Sequence, residues 1–278
     1  MLGRISFIGG GVMGEAIVQG LLAKKLLKAE NITVSEPRRQ RREELRKKHR
    51  IKVTADNREA AQTCEILVFA VKPQDLGKVL ADLKGSIRPQ QLVLSIVAGA
   101  RLGAISKGLT HNAIVRVMPN TPAQIGEGIS VWTTTRSVKE SQKEQTRLIL
   151  RALGKEVYVD EEKFVDMATA VSGTGPTYVF LVMEAMIDAA VHLGFPRHIA
   201  YELVTETMRG SIMFAMKSGK HPAELRNMVT SPGGTSAEAL YQLEKGTLRT
   251  VLSKAIWAAY ERTRSLGEGH DVSEGNER

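Results

Sequence analysis

The chain has 278 residues, a formal net charge of +9 and 42% hydrophobic residues, enough for one large domain or two ordinary ones with real cores. Its single cysteine, Cys64, rules out an intrachain disulfide and with it a disulfide-stapled secreted scaffold. The basic excess crowds into one segment, from Arg38 and Arg39 to Lys52, that holds no aromatic side chain to stack a base. It therefore reads as a solvated helix face, with anion recognition by its first residues as the rival, and nucleic acid is not expected as a partner.

In chain order, Ile5 to Ile8 reads as a short buried strand that runs into Gly9-Gly10-Gly11-Val12-Met13-Gly14 and a helix from about Glu15 to Leu27. Gly9, Gly11 and Gly14 fit G-x-G-x-x-G. The first allows a tight turn, the second a close approach of a pyrophosphate, and the third close packing of helix on strand. Strands are expected at Ile32–Ser35, Ile51–Val53, Ile66–Val71, Leu92–Ile96, Ala113–Val117, Ile129–Trp132 and Glu156–Val159. Pro37 and Pro73 are each expected at a first helical position, and Lys139 to Leu153 reads as a helix. The alternation predicts a doubly wound, mostly parallel sheet, hence an α/β, Rossmann-type domain over 1–160. Beyond Asp160 no convincing strand follows. An all-α half over 161–266 is expected, with helices from Gly175, from Pro196 to about Ser218, over Pro222–Val229, over Ser236–Glu244 and from Leu248 to about Leu266. Residues 267–278 are polar and are expected to be disordered. The helix from Gly175 is apolar over most of its circumference, so other helices must wrap it, from this or another subunit. The methionines Met183, Met186, Met208, Met213 and Met216 read as core filler. No leader opens the chain and no run of about 18 apolar residues occurs, so a cytoplasmic protein with no membrane span is expected.

The chemistry concentrates at strand ends and one loop. At the end of the second strand, Glu36 suits the ribose 2′-OH of NAD, whereas Ser35 with Arg38 and Arg39 suits the phosphate of NADP. The two signals conflict within four residues. NADP(H) is the preferred reading, and NAD(H) stays open. Ala70-Val71-Lys72-Pro73, Ala98 and Asn120 follow later strands at the carboxyl edge, where ligands of such sheets collect. In the helical half, Thr230-Ser231-Pro232-Gly233-Gly234-Thr235-Ser236 places hydroxyls and glycines before a helix, a seat for a carboxylate. No metal-ligand cluster, nucleophile elbow or P-loop is present, and the substrate half offers no obvious general acid or base. Hydride transfer to an already protonated imine fits such a site.

The chain resembles the pyrroline-5-carboxylate reductases over about residues 3 to 266. The resemblance rests on Phe7-Ile8-Gly9-Gly10-Gly11-Val12-Met13-Gly14, Ala70-Val71-Lys72-Pro73-Gln74, Arg116-Val117-Met118-Pro119-Asn120-Thr121-Pro122, Ser172-Gly173-Thr174-Gly175-Pro176, and the stretch from Pro222 through Val229-Thr230-Ser231-Pro232-Gly233-Gly234 to Glu244. It implies reduction of 1-pyrroline-5-carboxylate to L-proline, the last step of proline biosynthesis. It implies cofactor contacts at Gly9 to Met13, Ser35, Pro37, Asn57, Val71, Lys72 and Ala98, and substrate contacts at Glu162, Thr235 and Ser236. It also implies that the all-α half is a dimerisation domain, often assembled further into a decamer. The family commonly has Asn or Gln where this chain has Val12, and Thr where it has Ser236; serine keeps the hydroxyl but loses the methyl that fixes its rotamer. A β-hydroxyacid dehydrogenase-like enzyme is a rival, although Ser172 to Val191 lacks that group's Lys and Asn. A non-catalytic nucleotide-sensing protein is the other.

Overall fold

The computed structural model describes residues 2–271. Its first half alternates strand and helix: β1 (Ile5–Ile8), α1 (Val12–Ala23), β2 (Ile32–Ser35), α2 (Arg39–His49), β3 (Lys52–Thr54), α3 (Asn57–Gln62), β4 (Ile66–Phe69), α4 (Pro73–Leu83), β5 (Leu92–Ser95) and α5 (Leu102–Leu109). Then come β6 (Ile114–Met118), a 3₁₀ turn (Thr121–Ile125), β7 (Gly128–Thr134), α6 (Glu140–Arg151) and β8 (Gly154–Tyr158). The strands form one sheet in the order β3-β2-β1-β4-β5-β6-β7-β8. All pairings are parallel except β6 with β7.

The period-2 alternation of each strand divides the core between the two faces. Ile5, Phe7, Val68, Leu92 and Leu94 pack on one side with Ile17, Leu21, Leu45 and Ile149 of α1, α2 and α6. Ile8, Leu67, Phe69 and Val93 pack on the other with Ala60, Leu76, Val79 and Ile105 of α3, α4 and α5. Helices on both faces are why β4 and β5 read as continuous apolar runs.

Several boundaries differ from the sequence expectation. The first helix begins at Val12, not Glu15, because Gly14 lies inside its first turn, where a Cβ would stand 2.7 Å from the Gly9 carbonyl oxygen. Pro37 is not in α2; the chain stays extended through Arg38 (φ −79, ψ 118) and the helix starts at Arg39. β4 ends at Phe69, leaving Ala70 and Val71 in the loop. The sequence reading lacks α3 and α5. The first is a six-residue helix capped by Asp56, which accepts from the N–H of Arg58 (2.8 Å) and Glu59 (3.3 Å). The second carries Gly103 and Gly108, which weaken its helical signal.

After β8 the described residues contain no further strand. The helices are α7 (Lys163–Ala168), a π turn (Thr169–Gly173), α8 (Gly175–His192), α9 (Arg197–Ser218), α10 (Pro222–Met228), α11 (Thr235–Lys245) and α12 (Leu248–Asp271). The chain divides into two compact units, 1–175 with 258–278, and 176–257. Residues 161–175, expected with the all-α half, cluster with the sheet because α7 is tied to it: Arg116 of β6 pairs with Glu162 and Asp166. Residues 267–271, expected in a disordered tail, belong to α12; 272–278 lie outside the described residues.

The helical unit buries little by itself. Ile187, Ala200 and Val204 form its core, with Met183 and Met208 packed against them. Phe180, Leu181, Phe214, Met216 and Trp257 are exposed, as are Met186 and Met213, so these last three methionines are not core filler within one chain. The continuous helix Lys163–His192 is long and apolar enough to cross a membrane by length and composition alone. Uncharged polar residues such as Thr174 and Thr177 hide this in a search for unbroken apolar runs.

Candidate functional site

The order of the strands reverses between β1 and β4, and a cleft of about 550 Å³ opens there at the carboxyl edge of the sheet. Ligands of doubly wound sheets bind at such a switch point. The cleft is lined by Gly9, Gly11, Ser35, Glu36, Pro37, Arg38, Asn57, Ala70, Val71 and Lys72, all singled out from the sequence. Gln74, quoted with the loop after β4, lines it too, and so do Ile8, Ala55, Asp75, Lys78 and Val79, which the sequence reading does not assign to the site. Gln74, Asp75, Lys78 and Val79 fall on one face of α4 at helical spacing, a signal legible once Pro73 is taken as the helix start.

The glycines serve the cleft by what they lack. Gly9 has φ +100, and a Cβ on it would come within 2.6 Å of the Ala70 carbonyl oxygen. At Gly11, the residue that precedes α1, a Cβ would meet nothing within 4 Å, so the space in front of the helix is open. The first N–H groups of α1 have no intrahelical acceptor, and Gly11 offers no side chain to cap them. This is a phosphate cradle in form. Gly10, Val12, Met13, Gly14, Arg39, Pro73, Ala98 and Asn120 do not line the cleft. Met13 packs on the sheet core, Val12 is exposed at the helix start, and Arg39 pairs with Glu43 at 2.9 Å. The amide oxygen of Asn120 accepts from the Ile129 N–H at 2.9 Å and so fixes the turn into β7. Ala98 sits in a turn with Gly99 (φ +74), on which a Cβ would stand 2.9 Å from Leu266 Cβ of α12.

The carboxylate of Glu36 is buried. One oxygen accepts from the Gly10 N–H (3.1 Å), the other from the Arg38 N–H (3.1 Å) and Arg38 Nε (2.8 Å). Burial alone would raise its pKa, but these hydrogen bonds outweigh it and hold the carboxyl below the usual range. Ser35 Oγ donates to Asn57 Oδ1 at 2.7 Å, and Asn57 Nδ2 donates to Asp82 Oδ2 at 3.1 Å. The side chain of Arg38 is 68% exposed and that of Arg39 is 86% exposed.

The second group of predicted residues lies apart in sequence. In the helical unit, Thr230 ends α10's turn with its hydroxyl on the Arg226 carbonyl (2.8 Å), Gly233 takes φ +70, and α11 begins at Thr235 behind Gly234. A Cβ on Gly234 would stand 2.5 Å from Ser231 Oγ. Gly234 supplies no side-chain cap, so the N–H groups of Thr235 and Ser236 open the helix without an intrahelical acceptor. Glu162 belongs to the sheet unit. Its Oε1 accepts from the Leu102 N–H (2.7 Å) and from Arg116 Nη1 (2.8 Å). Arg116 is only 2% exposed, and its other terminal nitrogen pairs with Asp166. The described residues contain no group of three metal-ligating side chains.

The cradle and the open space before α1 fit a dinucleotide. A family model described as pyrroline-5-carboxylate reductase dimerisation matches residues 162–266, and one described as NADP oxidoreductase, coenzyme F420-dependent, matches residues 4–99. A pyrroline-5-carboxylate reductase of Synechocystis is 42% identical over 265 residues, covering 95% of this chain and 98% of the relative. That of Escherichia coli is 36% identical over 266 residues, with 95% and 98% covered. The crystal structure of Plasmodium falciparum pyrroline carboxylate reductase with NADP bound is similar with a TM-score of 0.88 at 34% identity, covering 95% of this chain and 98% of that one.

Proposed function

The chain belongs to the pyrroline-5-carboxylate reductase family, oxidoreductases that use a pyridine nucleotide to reduce 1-pyrroline-5-carboxylate to proline, and on that premise we propose how its own residues divide the work. The phosphates rest on the N–H groups at the start of α1, with Ser35, Asn57, Val71 and Lys72 along the cleft. NADPH is preferred over NADH. Exposed Arg38 and Arg39 supply positive charge beside Ser35, and the Glu36 charge that would repel a 2′-phosphate is answered by Arg38 at 2.8 Å.

The nicotinamide supplies the hydride to the C=N carbon. The substrate carboxylate rests on the N–H groups around Gly233, Gly234, Thr235 and Ser236, with the Ser231 hydroxyl beside them. The Ser236 hydroxyl holds the ring nitrogen and so fixes which face of the C=N bond is presented, and Glu162 is a further substrate contact. No side chain is required as a general acid, because the protonated imine is already electrophilic. Catalysis is positioning and electrostatics. The protein works in the cytoplasm as a homodimer, the precursor of any decamer; a second copy covers the exposed apolar side chains of α8 and α9, which are too many for the small core of one helical unit.

The observation that carries this reading is the uncapped, glycine-led start of α11 with hydroxyls at Thr235 and Ser236, in a chain that also has the glycine cleft. The test follows nicotinamide absorbance with 1-pyrroline-5-carboxylate, once with NADPH and once with NADH. Imine-dependent oxidation, faster with NADPH, is expected. Ser236→Ala should lower kcat/KM by about 10- to 1000-fold, the range for a lost site donor. An unchanged kcat/KM removes Ser236 from the mechanism.

A further inference from the structure

The second residue of the glycine loop is held by side chains at both its N–H and its carbonyl. The Gly10 N–H donates to Glu36 Oε2 at 3.1 Å, and the Gly10 carbonyl accepts from Arg41 Nε at 2.8 Å. Glu36, with a side chain only 5% exposed, spends its other oxygen on the backbone and side chain of Arg38. Arg42 Nη1 donates to the Glu36 carbonyl at 2.7 Å, and Arg41 also pairs with Glu15 of α1. The seat is tight: a Cβ on Gly10 would stand 2.6 Å from Leu45 Cδ1 and 3.2 Å from Val34 Cγ1. The loop is thus fastened to β2 and α2 by a carboxylate on one side and a guanidinium on the other.

We propose that Glu36 is a positioning residue for the phosphate-binding glycine loop and not a ligand of the nucleotide ribose, and that Arg41 completes the same latch. An ionised carboxylate has about four acceptor sites, and here three are filled from within the chain. The one site left is on the oxygen that the Gly10 N–H already holds, on a side chain only 5% exposed, so a ribose hydroxyl reaches it poorly unless that charge-assisted bond is given up. What the latch supplies is direction. With Gly10 fixed, the N–H groups that follow it at Gly11 and Val12 are held toward the space in front of α1. Anion binding by backbone N–H groups depends on such convergence. This assigns a task to part of the basic segment: Arg41 faces inward onto the loop that carries the phosphates, and Arg42 holds the backbone of Glu36 and Pro37 behind it.

The inference rests on pyridine nucleotide binding at this cleft, but it is independent of the preference for NADPH. A loop latch acts on the pyrophosphate that both cofactors share, so its loss multiplies both dissociation constants by one factor. A ribose ligand acts on their ratio.

Isothermal titration of the full-length protein tests this with NADPH, NADH and adenosine 2′-monophosphate, which has no pyrophosphate. Glu36→Gln and, separately, Arg41→Met should each weaken NADPH and NADH by a common factor of about 10, the range for one lost charge-assisted hydrogen bond, while adenosine 2′-monophosphate changes less than about twofold. The two-cofactor ratio of the unaltered protein reports the NADPH preference separately. If Glu36→Gln weakens NADH alone, Glu36 is a ribose ligand and the proposal is overturned; any gain for the 2′-phosphate from the lost charge appears equally with adenosine 2′-monophosphate and is divided out, and Arg41→Met is free of it. Unchanged affinities, or equal loss of all three ligands, overturn it as well. Should Glu36→Gln not fold, Arg41→Met decides by the same common factor.

Discussion

Replacing Arg116 by Met isolates the energetics of the knot that ties α7 to the sheet. The guanidinium is 2% exposed and pairs with two carboxylates, whose side chains differ: Glu162 is 30% exposed and Asp166 is 13% exposed. Once the arginine is gone, Glu162 can hydrate and still accepts from the Leu102 N–H. Asp166 becomes a desolvated charge without its partner. Breaking a buried ion pair from one side costs about 3–5 kcal/mol, and here most of it falls on Asp166. We therefore expect a loss of about 3 kcal/mol in urea unfolding, with about 2 kcal/mol recovered in the double variant Arg116→Met with Asp166→Asn. If Glu162 touches the substrate, Arg116→Met also raises KM for the imine more than KM for NADPH, because its carboxylate loses one of two anchors. A loss below about 1 kcal/mol, or a double variant as unstable as the single one, refutes the account of a buried charge left alone.

Further perturbations test other parts of the chain. Arg38→Ala with Arg39→Ala should raise KM for NADPH about tenfold and leave KM for NADH within about twofold in steady-state kinetics; equal changes would remove the phosphate role. Glu15 is held down to about 2: burial pulls its pKa upward, but hydrogen bonds from Lys48, His49 and Arg41 more than reverse this. Its folded value is lower than its unfolded one, so the stabilisation is full above about pH 4.5 and fades as pH falls toward 2. Glu15→Gln should thus cost about 2 kcal/mol in urea melts near neutrality, after allowance for solvent screening, and nothing near the acid end; a constant difference across pH would contradict the pairing. Gly9→Ala puts a Cβ 2.6 Å from the Ala70 carbonyl at φ +100, so it should destabilise the fold by about 1–3 kcal/mol and abolish cofactor binding by titration.

The strands were readable because a parallel sheet covered on both faces needs unbroken apolar runs, and Ile66 to Phe69 is such a run. The glycine loop was readable because close approaches leave glycine no substitute at Gly9 and Gly14. What the residues do with their polar atoms was less legible. A carboxylate at the end of β2 looks the same in sequence whether it faces a ribose or accepts from Gly10. Asn120 likewise reads as a strand-end polar residue, and only the antiparallel return of β7 brings the Ile129 N–H to its side chain. The role of Arg116 depends on Glu162 and Asp166, which lie far along the chain, so no local pattern announces the knot. The all-round hydrophobicity of α8 reads as a helix wrapped by others, and within one chain Phe180 and Leu181 stay exposed, whereas the continuous helical path from Lys163 is hidden by the hydroxyls and the glycine of the π turn.

The chain leaves the sheet unit at 175 and rejoins it at 258, so the helical unit is an insertion, and the last turns of α12 pack beside the Gly99 turn. During synthesis the eight strands therefore emerge early, yet the unit they build waits for α12. A ribosome stalled after α11 would hold a sheet whose carboxyl edge at Gly99 still lacks Leu266. Loss of Leu266 would strike at the strand edge near Ala98 and leave the middle of the helical unit untouched.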